Sequence, residues 1–227
     1  MRGKQRLARR ALAAIALGCA TAAAHAAGGH HSVDDAEILA RGACAQETWF
    51  SRAGGGERLL HAGVNCRVGP VELGGAGEHL RGVDESATAW NLEVKWAREI
   101  AGGVSVGLDL QPTWLAHRSP RFAGTRVSAL ATWKAAETLS LHFNAGRSFV
   151  RGDRDLPNGG IAAEWSPVAR WSFVAERYLE NETHFVRAGA RWAAARRWTV
   201  DLSYAKHLSG PVPSFWTLGL NIDLGRD

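Results

Sequence analysis

The sequence has 227 residues, 46% of them hydrophobic and 22% charged, a length that suits one large domain or two small ones. Its net charge of +5 belongs to the start of the chain, because residues 1–26 hold five of the 27 Lys and Arg residues and leave 22 basic against 22 acidic ones. Without a basic excess to displace counterions from phosphates, the remainder is not expected to bind nucleic acid.

Residues 1–26 have the pattern of a secretory signal peptide. MRGKQRLARR is basic, ALAAIALGCATAAA is apolar, and Ala24-His25-Ala26 supplies a cleavage site of small residues. We expect cleavage after Ala26, since the apolar run of about 15 residues is too short to predict a membrane-spanning helix. Lipidation at Cys19 is the weaker alternative.

Residues 27–42, AGGHHSVDDAEILARG, form a short polar segment that we expect to lie in the periplasm as a lead-in. The same segment is an alternative candidate for a plug inside a barrel. His30 and His31 lie near Asp34 and Asp35, a combination of residues that can bind a borderline metal. A solvated lead-in explains the composition more simply, so no metal and no cofactor are expected.

Residues 43–227 alternate between apolar and polar side chains with period two, in segments of about ten residues, which predicts β-strands. In WNLEVKW, for example, Trp90, Leu92, Val94 and Trp96 share one face of an extended chain. We predict about twelve strands (10 to 14). They begin near Ala43, Glu57, Val71, Ala87, Val104, Gly124, Leu139, Gly159, Trp171, His184, Trp198 and Phe215.

Two cysteines flank the first predicted hairpin. Cys44 and Cys66 are each eleven residues from Gly55, so antiparallel pairing places them opposite each other. An exported protein matures in an oxidising compartment, which favours a disulfide between them over two free thiols.

The positions of the tryptophans indicate that the apolar face points outward to lipid. If the chain starts in the periplasm and the strands alternate up and down, two groups of tryptophans lie at the two ends of the strands, as in the aromatic girdles of membrane proteins. The periplasmic group comprises Trp96, Trp133, Trp165, Trp171, Trp192 and Trp198, and the outer group Trp90, Trp114 and Trp216. The periplasmic turns are also predicted to be shorter than most of the outer connections, which is typical of outer-membrane barrels.

The opposite face carries charged residues that are predicted to line the lumen. They are Glu93, Lys95, Asp109, Arg126, Lys134, Glu164, Glu176, Arg187, Arg191, Asp201 and Asp223. Inside a barrel these groups can pair with each other or contact water.

Residues 43–227 therefore resemble the bacterial outer-membrane β-barrel proteins as a class. The resemblance rests on the signal sequence, the alternating strands and the last strand FWTLGLNIDL, although the chain ends on Leu224-Gly225-Arg226-Asp227 and not on the aromatic residue common in such proteins. It implies an all-β, antiparallel up-and-down transmembrane barrel in the outer membrane, inserted by the assembly machinery.

Three basic residues interrupt the lipid-facing side near the outer ends of their strands: Arg147, Arg177 and Lys206. They are predicted either to contact the phosphates of lipopolysaccharide or simply to extend toward water. Ser140 with His142, and His207 with Ser209, lack both a flanking motif and an orienting acid, so no catalytic residues and no enzymatic activity are expected.

A barrel of about twelve strands is wider than the filled eight-stranded type and narrower than a sixteen-stranded porin. The sequence thus favours a small channel or passive transporter for small solutes. A structural or surface-binding barrel, a lipid-modifying enzyme and a soluble periplasmic β-sandwich binding protein are the alternatives.

Overall fold

Twelve antiparallel strands close into a barrel in the computed structural model, which describes residues 30–82 and 86–225. Each strand pairs with its neighbours in sequence, and the first pairs with the last. The strands are β1 Cys44–Ala53, β2 Arg58–Val68, β3 Val71–Arg81, β4 Ser86–Ala101, β5 Val104–Leu115, β6 Phe122–Ala136, β7 Leu139–Val150, β8 Leu156–Val168, β9 Trp171–Glu180, β10 Thr183–Ala195, β11 Trp198–Ser209 and β12 Phe215–Asp223. The predicted up-and-down barrel is confirmed, and every predicted strand start lies within three residues of the observed one.

The two ends of the barrel differ in the length of their connections. At the end that holds the start of β1, each turn has two residues, as at 102–103 and 196–197. At the other end most connections are longer, such as 116–121 and 210–214. The exception is the tight turn at Asn181 and Glu182, whose φ angles of 47° and 60° fit a two-residue hairpin loop. By the usual asymmetry of such barrels, we call the end with the short turns the periplasmic end and the opposite end the outer end.

The side chains alternate across the barrel wall as predicted. Trp90 and Leu92 on β4 are 58% and 53% exposed, whereas Lys95 on the same strand is 6% exposed and points inward. A soluble β-sandwich would bury its leucines and tryptophans between two sheets, so the closed barrel with an apolar exterior excludes that alternative. Among the described residues, no helix is long and apolar enough to cross a membrane.

The outward tryptophans pack against residues on neighbouring strands. The rings of Trp171 and Trp192 stack at 6.1 Å, directly across β9 and β10. Trp90 covers Gly77 on β3, where a Cβ atom would approach its ring to 2.8 Å. Trp49 is different, because its ring stacks at 4.5 Å on His61 on the inner face.

A disulfide joins the first two strands at the periplasmic end. Cys44 and Cys66 are directly paired in the β1–β2 register, as the spacing around Gly55 predicted, and their sulfur atoms are bonded.

The polar segment before β1 lies inside the barrel. Residues 30–39, which we call the plug, contact inward-facing side chains of eight strands, from β2 at Arg67 to β11 at Ser203. The expected periplasmic position of residues 27–42 is therefore corrected for this part of the segment. The physical reason is that its polar groups find partners on the charged inner wall.

Candidate functional site

The eleven charged residues that were predicted to line the lumen differ in their burial. Seven are buried, two are half-buried and two are exposed. The buried ones are Lys95, Asp109, Glu164, Glu176, Arg187, Arg191 and Asp201; Glu93 and Arg126 are half-buried, and Lys134 and Asp223 are exposed. Several form ion pairs across neighbouring strands, including Arg191 with Asp201 at 2.6 Å and Arg187 with Glu176 at 3.1 Å. Such pairing is what allows charges to be buried in a barrel interior.

Lys95 holds the middle of the plug by charge. Its ammonium nitrogen lies 2.8 Å from an oxygen of Asp34 and 3.1 Å from an oxygen of Asp35. The side chains of Lys95 and Asp35 are only 7% and 8% exposed, and that of Asp34 is 28% exposed. The segment thus neutralises a barrel lysine with two of its own carboxylates.

The backbone of the plug is held by side chains of the wall. The plug has no neighbouring strand, so its N–H groups need other acceptors. Glu176 accepts from the amide of Val33 at 3.0 Å, and Glu72 accepts from the amide of Leu39 at 2.8 Å. Asn144, with its amide nitrogen toward the Asp34 carbonyl and its oxygen toward the Asp34 N–H, pairs with both backbone groups at 2.9 and 2.7 Å.

An apolar pocket in the wall holds Val33. This valine has no exposed surface and belongs to a buried cluster with Tyr178 and Phe185. The two aromatic rings stack at 5.0 Å, and the Arg187 guanidinium lies over the Tyr178 ring at 5.0 Å. The lumen is therefore not polar throughout, and this apolar pocket fixes the position of the plug along the barrel.

The periplasmic end of the plug is also anchored. Glu37 pairs with Lys134 at 2.7 Å, and the Arg67 guanidinium donates to the Leu39 carbonyl at 2.9 Å. At the other end of the segment, the His30 ring is hydrogen-bonded to Ser203 at 2.7 Å. These contacts, together with those of Lys95 and Glu176, fix the plug inside the lumen.

A polar cavity of about 140 Å³, which we call the outer cavity because it reaches the outer end of the lumen, lies beside the plug and extends from Glu72 near the start of β3 to Arg126 and Glu180. Asp34 and Lys95 lie at its plug side, and Arg126 and Glu180 lie toward its outer side, where β6 begins and β9 ends. Arg126 donates to Gln111 at 2.6 Å and lies 3.8 Å from Glu180.

The histidines of the plug serve as contacts to the wall. His30 binds Ser203, as described, and the His31 ring lies 3.7 Å from Glu176. Within residues 30–82 and 86–225, no group of three or more His, Cys, Asp or Glu side chains is arranged to hold a metal ion.

The serine and histidine residues weighed as catalytic candidates have other contacts. The fully buried His142 is hydrogen-bonded to Thr132 at 2.9 Å and lies 3.8 Å from Glu164. The Thr132 hydroxyl in turn accepts a hydrogen bond from the Ala36 N–H at 2.8 Å, so His142 and Thr132 together support the plug. The ring of His207 contacts the Gly210 carbonyl in an outer loop.

The three basic residues of the lipid-facing side are all exposed. Arg177 and Lys206 both lie directly opposite Val186, one on each side of β10. Arg147 lies two strands away from Arg177, opposite Val127 and Pro157. Arg177 and Lys206 are therefore at the same level, two strands apart, whereas Arg147 is offset from Arg177 by four residues along β8.

The family described as Uncharacterised conserved protein UCP029691 matches residues 14–224. The chain belongs to this family. No curated protein matches it.

Solved porins share the fold of this family member. The NanC porin has a TM-score of 0.66 at 9% identity and covers 79% of this chain and 100% of its own. The KdgM porin has a TM-score of 0.63 at 7% identity, with coverages of 80% and 99%. The Ralstonia pickettii toluene transporter TbuX has a TM-score of 0.50 at 10% identity, with coverages of 82% and 89%. The resemblance to outer-membrane β-barrel proteins is thereby confirmed for the fold.

Some residues of the site were not singled out in the sequence. Glu72 lies in the glycine-rich third strand and holds the plug backbone, yet nothing local distinguishes it from a solvated glutamate. Phe185 did leave a signal, because it has the same strand parity as the charged Arg187 and so had to point inward. An aromatic ring on a charged face indicates an apolar contact inside the barrel.

Proposed function

We propose that this protein is an outer-membrane channel for small polar solutes whose periplasmic half is closed by residues 30–39. The observation that carries the proposal is a polar cavity inside a closed barrel, bordered by a segment that is part of the chain but not of the wall. Such a segment can leave the lumen without breaking the hydrogen bonds between strands.

The size and lining of the cavity support small polar solutes. A volume of 140 Å³ corresponds to about five waters at ~30 Å³ each. TbuX is named a toluene transporter and a KdgM structure contains oligogalacturonate. The wall of the present cavity carries mainly charged and amide groups, which favours neither an apolar solute nor an acidic sugar chain.

Conductance of the refolded full-length protein in planar bilayers tests the channel. Val33→Ala removes two methyl groups from the pocket that fixes the plug, and we expect more frequent openings than in the wild type. Val68→Ala is the matched control, because Val68 is 55% exposed on the outer surface. Absence of current from all three proteins would overturn the channel and leave a structural or surface-binding barrel.

The proposal includes export through a cleaved signal peptide and residence in the outer membrane. Residues 1–26 lie outside the described part of the chain, so the basic, apolar and small-residue pattern is the support. Cleavage after Ala26 would leave the mature N-terminus three residues before His30, at the plug. Mass spectrometry of the protein purified from outer membranes gives the cleavage position, and an uncleaved chain would contradict this part.

Contacts with the membrane form a further part of the proposal. We place the outward tryptophans at the two lipid headgroup levels and the Arg177–Lys206 pair against lipopolysaccharide phosphates. Replacement of Arg147, Arg177 and Lys206 by glutamine is expected to lower lipopolysaccharide retention in detergent. Unchanged retention would indicate that these side chains only reach toward water.

The last two parts of the proposal concern how the barrel is inserted into the membrane and whether it has enzymatic activity. Insertion by the outer-membrane assembly machinery is proposed on the barrel fold and on the strand Phe215–Asp223, and crosslinking from this strand during insertion tests it. The protein is predicted not to be an enzyme, and lipid hydrolysis by the purified barrel would contradict that prediction.

A further inference from the structure

The outer cavity has an excess of negative charge. Its lining contains six carboxylates and two permanently charged bases, Lys95 and Arg126. The carboxylates are Asp34, Glu47, Glu72, Glu93, Asp109 and Glu180. The formal excess is four negative charges.

The two bases are already engaged by neighbouring acids. The ammonium of Lys95 lies between Asp34 and Asp35, and the Arg126 guanidinium lies 3.9 Å from Asp109 and 3.8 Å from Glu180. Neither is therefore available as an independent anion-binding group. Of the other carboxylates, Glu47 lies 3.1 Å from the His61 ring, whereas Glu72 and Glu93 form no ion pair with a base among the described residues.

Asp109 provides a second, independent observation. Its residue is 4% exposed, it lines the cavity, and its Oδ1 atom has no hydrogen-bond partner among the described residues. A buried carboxylate oxygen without a donor is costly, and an ammonium or guanidinium group in the cavity would supply one. Lys95 shows that this part of the lumen already stabilises an ammonium group.

We propose that the outer cavity is a cation-binding vestibule, which makes the channel select monovalent inorganic cations and small organic ammonium or guanidinium solutes over anions. This inference rests on the proposed channel function and names its substrate class. Carboxylates in a narrow, partly enclosed lumen raise the local concentration of cations and repel anions of similar size. Glu93 and Asp109 act as the specificity-determining pair, because both line the cavity and, among the described residues, the one ion pair of either is the 3.9 Å contact of Asp109 with Arg126.

Reversal potentials in planar bilayers under a potassium chloride gradient test this inference. We expect the wild type, or Val33→Ala if wild-type openings are rare, to prefer K⁺ over Cl⁻ by about tenfold or more. The isosteric double variant Glu93→Gln with Asp109→Asn is expected to lose most of that preference. When guanidinium chloride replaces potassium chloride, we expect current through the protein that retains Glu93 and Asp109 and no current through the double variant. Glu137→Gln, in an exposed periplasmic turn, is the matched control and should retain the preference.

The outcomes separate the two proposals. If the wild type conducts without preferring cations, or if the double variant keeps the preference, the proposed cation-binding vestibule is wrong and the proposed channel function stands. No current at all would overturn the channel and the vestibule with it. The difference in gel mobility between heated and unheated samples shows whether each variant is folded. If the double variant does not fold, the single variant Glu93→Gln is measured in its place.

Discussion

Lys95→Met is expected to release the plug without unfolding the barrel. The substitution keeps the length and the apolar stem of the side chain but removes the ammonium group that Asp34 and Asp35 share. Two carboxylates are then left near each other in the lumen without the base that neutralised them. Leaving the lumen returns both to water, so the displaced state of the plug becomes more favourable.

The magnitude follows from the burial of the partners. Removing one member of a buried ion pair costs about 3–5 kcal/mol. The Asp34 side chain is 28% exposed, which reduces its share, so we expect about 3 kcal/mol, toward the lower end of that range. At about 1.4 kcal/mol per factor of ten, the ratio of displaced to seated plug should rise about 100-fold.

Maleimide labelling of Ala36→Cys measures this ratio. Ala36 is 1% exposed. With cleavage at the proposed site, which removes Cys19, the introduced thiol is the only free one, because Cys44 and Cys66 are bonded to each other. The labelling rate should rise about 100-fold in Lys95→Met, as derived above. Addition of Asp34→Asn and Asp35→Asn should reverse most of the increase.

Lys206→Met is the matched control, since it removes one lysine charge from the outer surface. An unchanged labelling rate in Lys95→Met would refute the reasoning, as would an equal rise in Lys206→Met.

Three further predictions concern the wall and its contacts. Replacing Cys44 and Cys66 by serine removes a link across 22 residues and should lower the free energy of unfolding by up to about 3 kcal/mol. The variant's folded gel band, which shifts on heating, should then disappear at a lower urea concentration than that of the wild type. Equal urea midpoints for the two proteins would contradict this prediction. Gly77→Val drives a methyl group into the indole ring over it and should cost about 1–3 kcal/mol in the same titration, whereas Gly75→Val, with its nearest neighbour at 3.6 Å, should cost less. Thr132→Val removes the hydroxyl that accepts from the Ala36 N–H of the plug. An unpaired buried amide costs about 1–3 kcal/mol, so the maleimide labelling rate at position 36 should rise about tenfold. An unchanged rate would show that this amide finds another partner.

The wall could be predicted from the sequence because its signals are local. Period two assigns each residue to a face, and short polar breaks mark the turns, as between Val68 and Val71. The largest error in a strand start, at β8, lies in a glycine-containing stretch, where Gly159 has a φ of 141° and the alternation is hard to read. Trp49 shows the limit of the tryptophan pattern, because its inward direction depends on the His61 ring of the adjacent strand.

The plug could not be placed from the sequence because its signals are not local. Asp35 and its partner Lys95 are 60 residues apart, and Val33 and its partner Glu176 are 143 apart. Nothing in SVDDAEIL distinguishes a solvated segment from one that is held by a charged wall. The inner face was visible as a row of charges, whereas the pairing among those charges depends on the register between neighbouring strands, as for Arg191 and Asp201 on β10 and β11.

The contacts of the plug have a mechanical consequence for the barrel. By reaching Glu72 on β3 and Ser203 on β11, the segment ties together strands that lie far apart around the circumference. The plug therefore braces opposite parts of the barrel wall, and we expect the cross-section of the barrel to deform more easily once the plug has left the lumen. In the proposed channel, the opening of the passage and the loss of this brace are the same event.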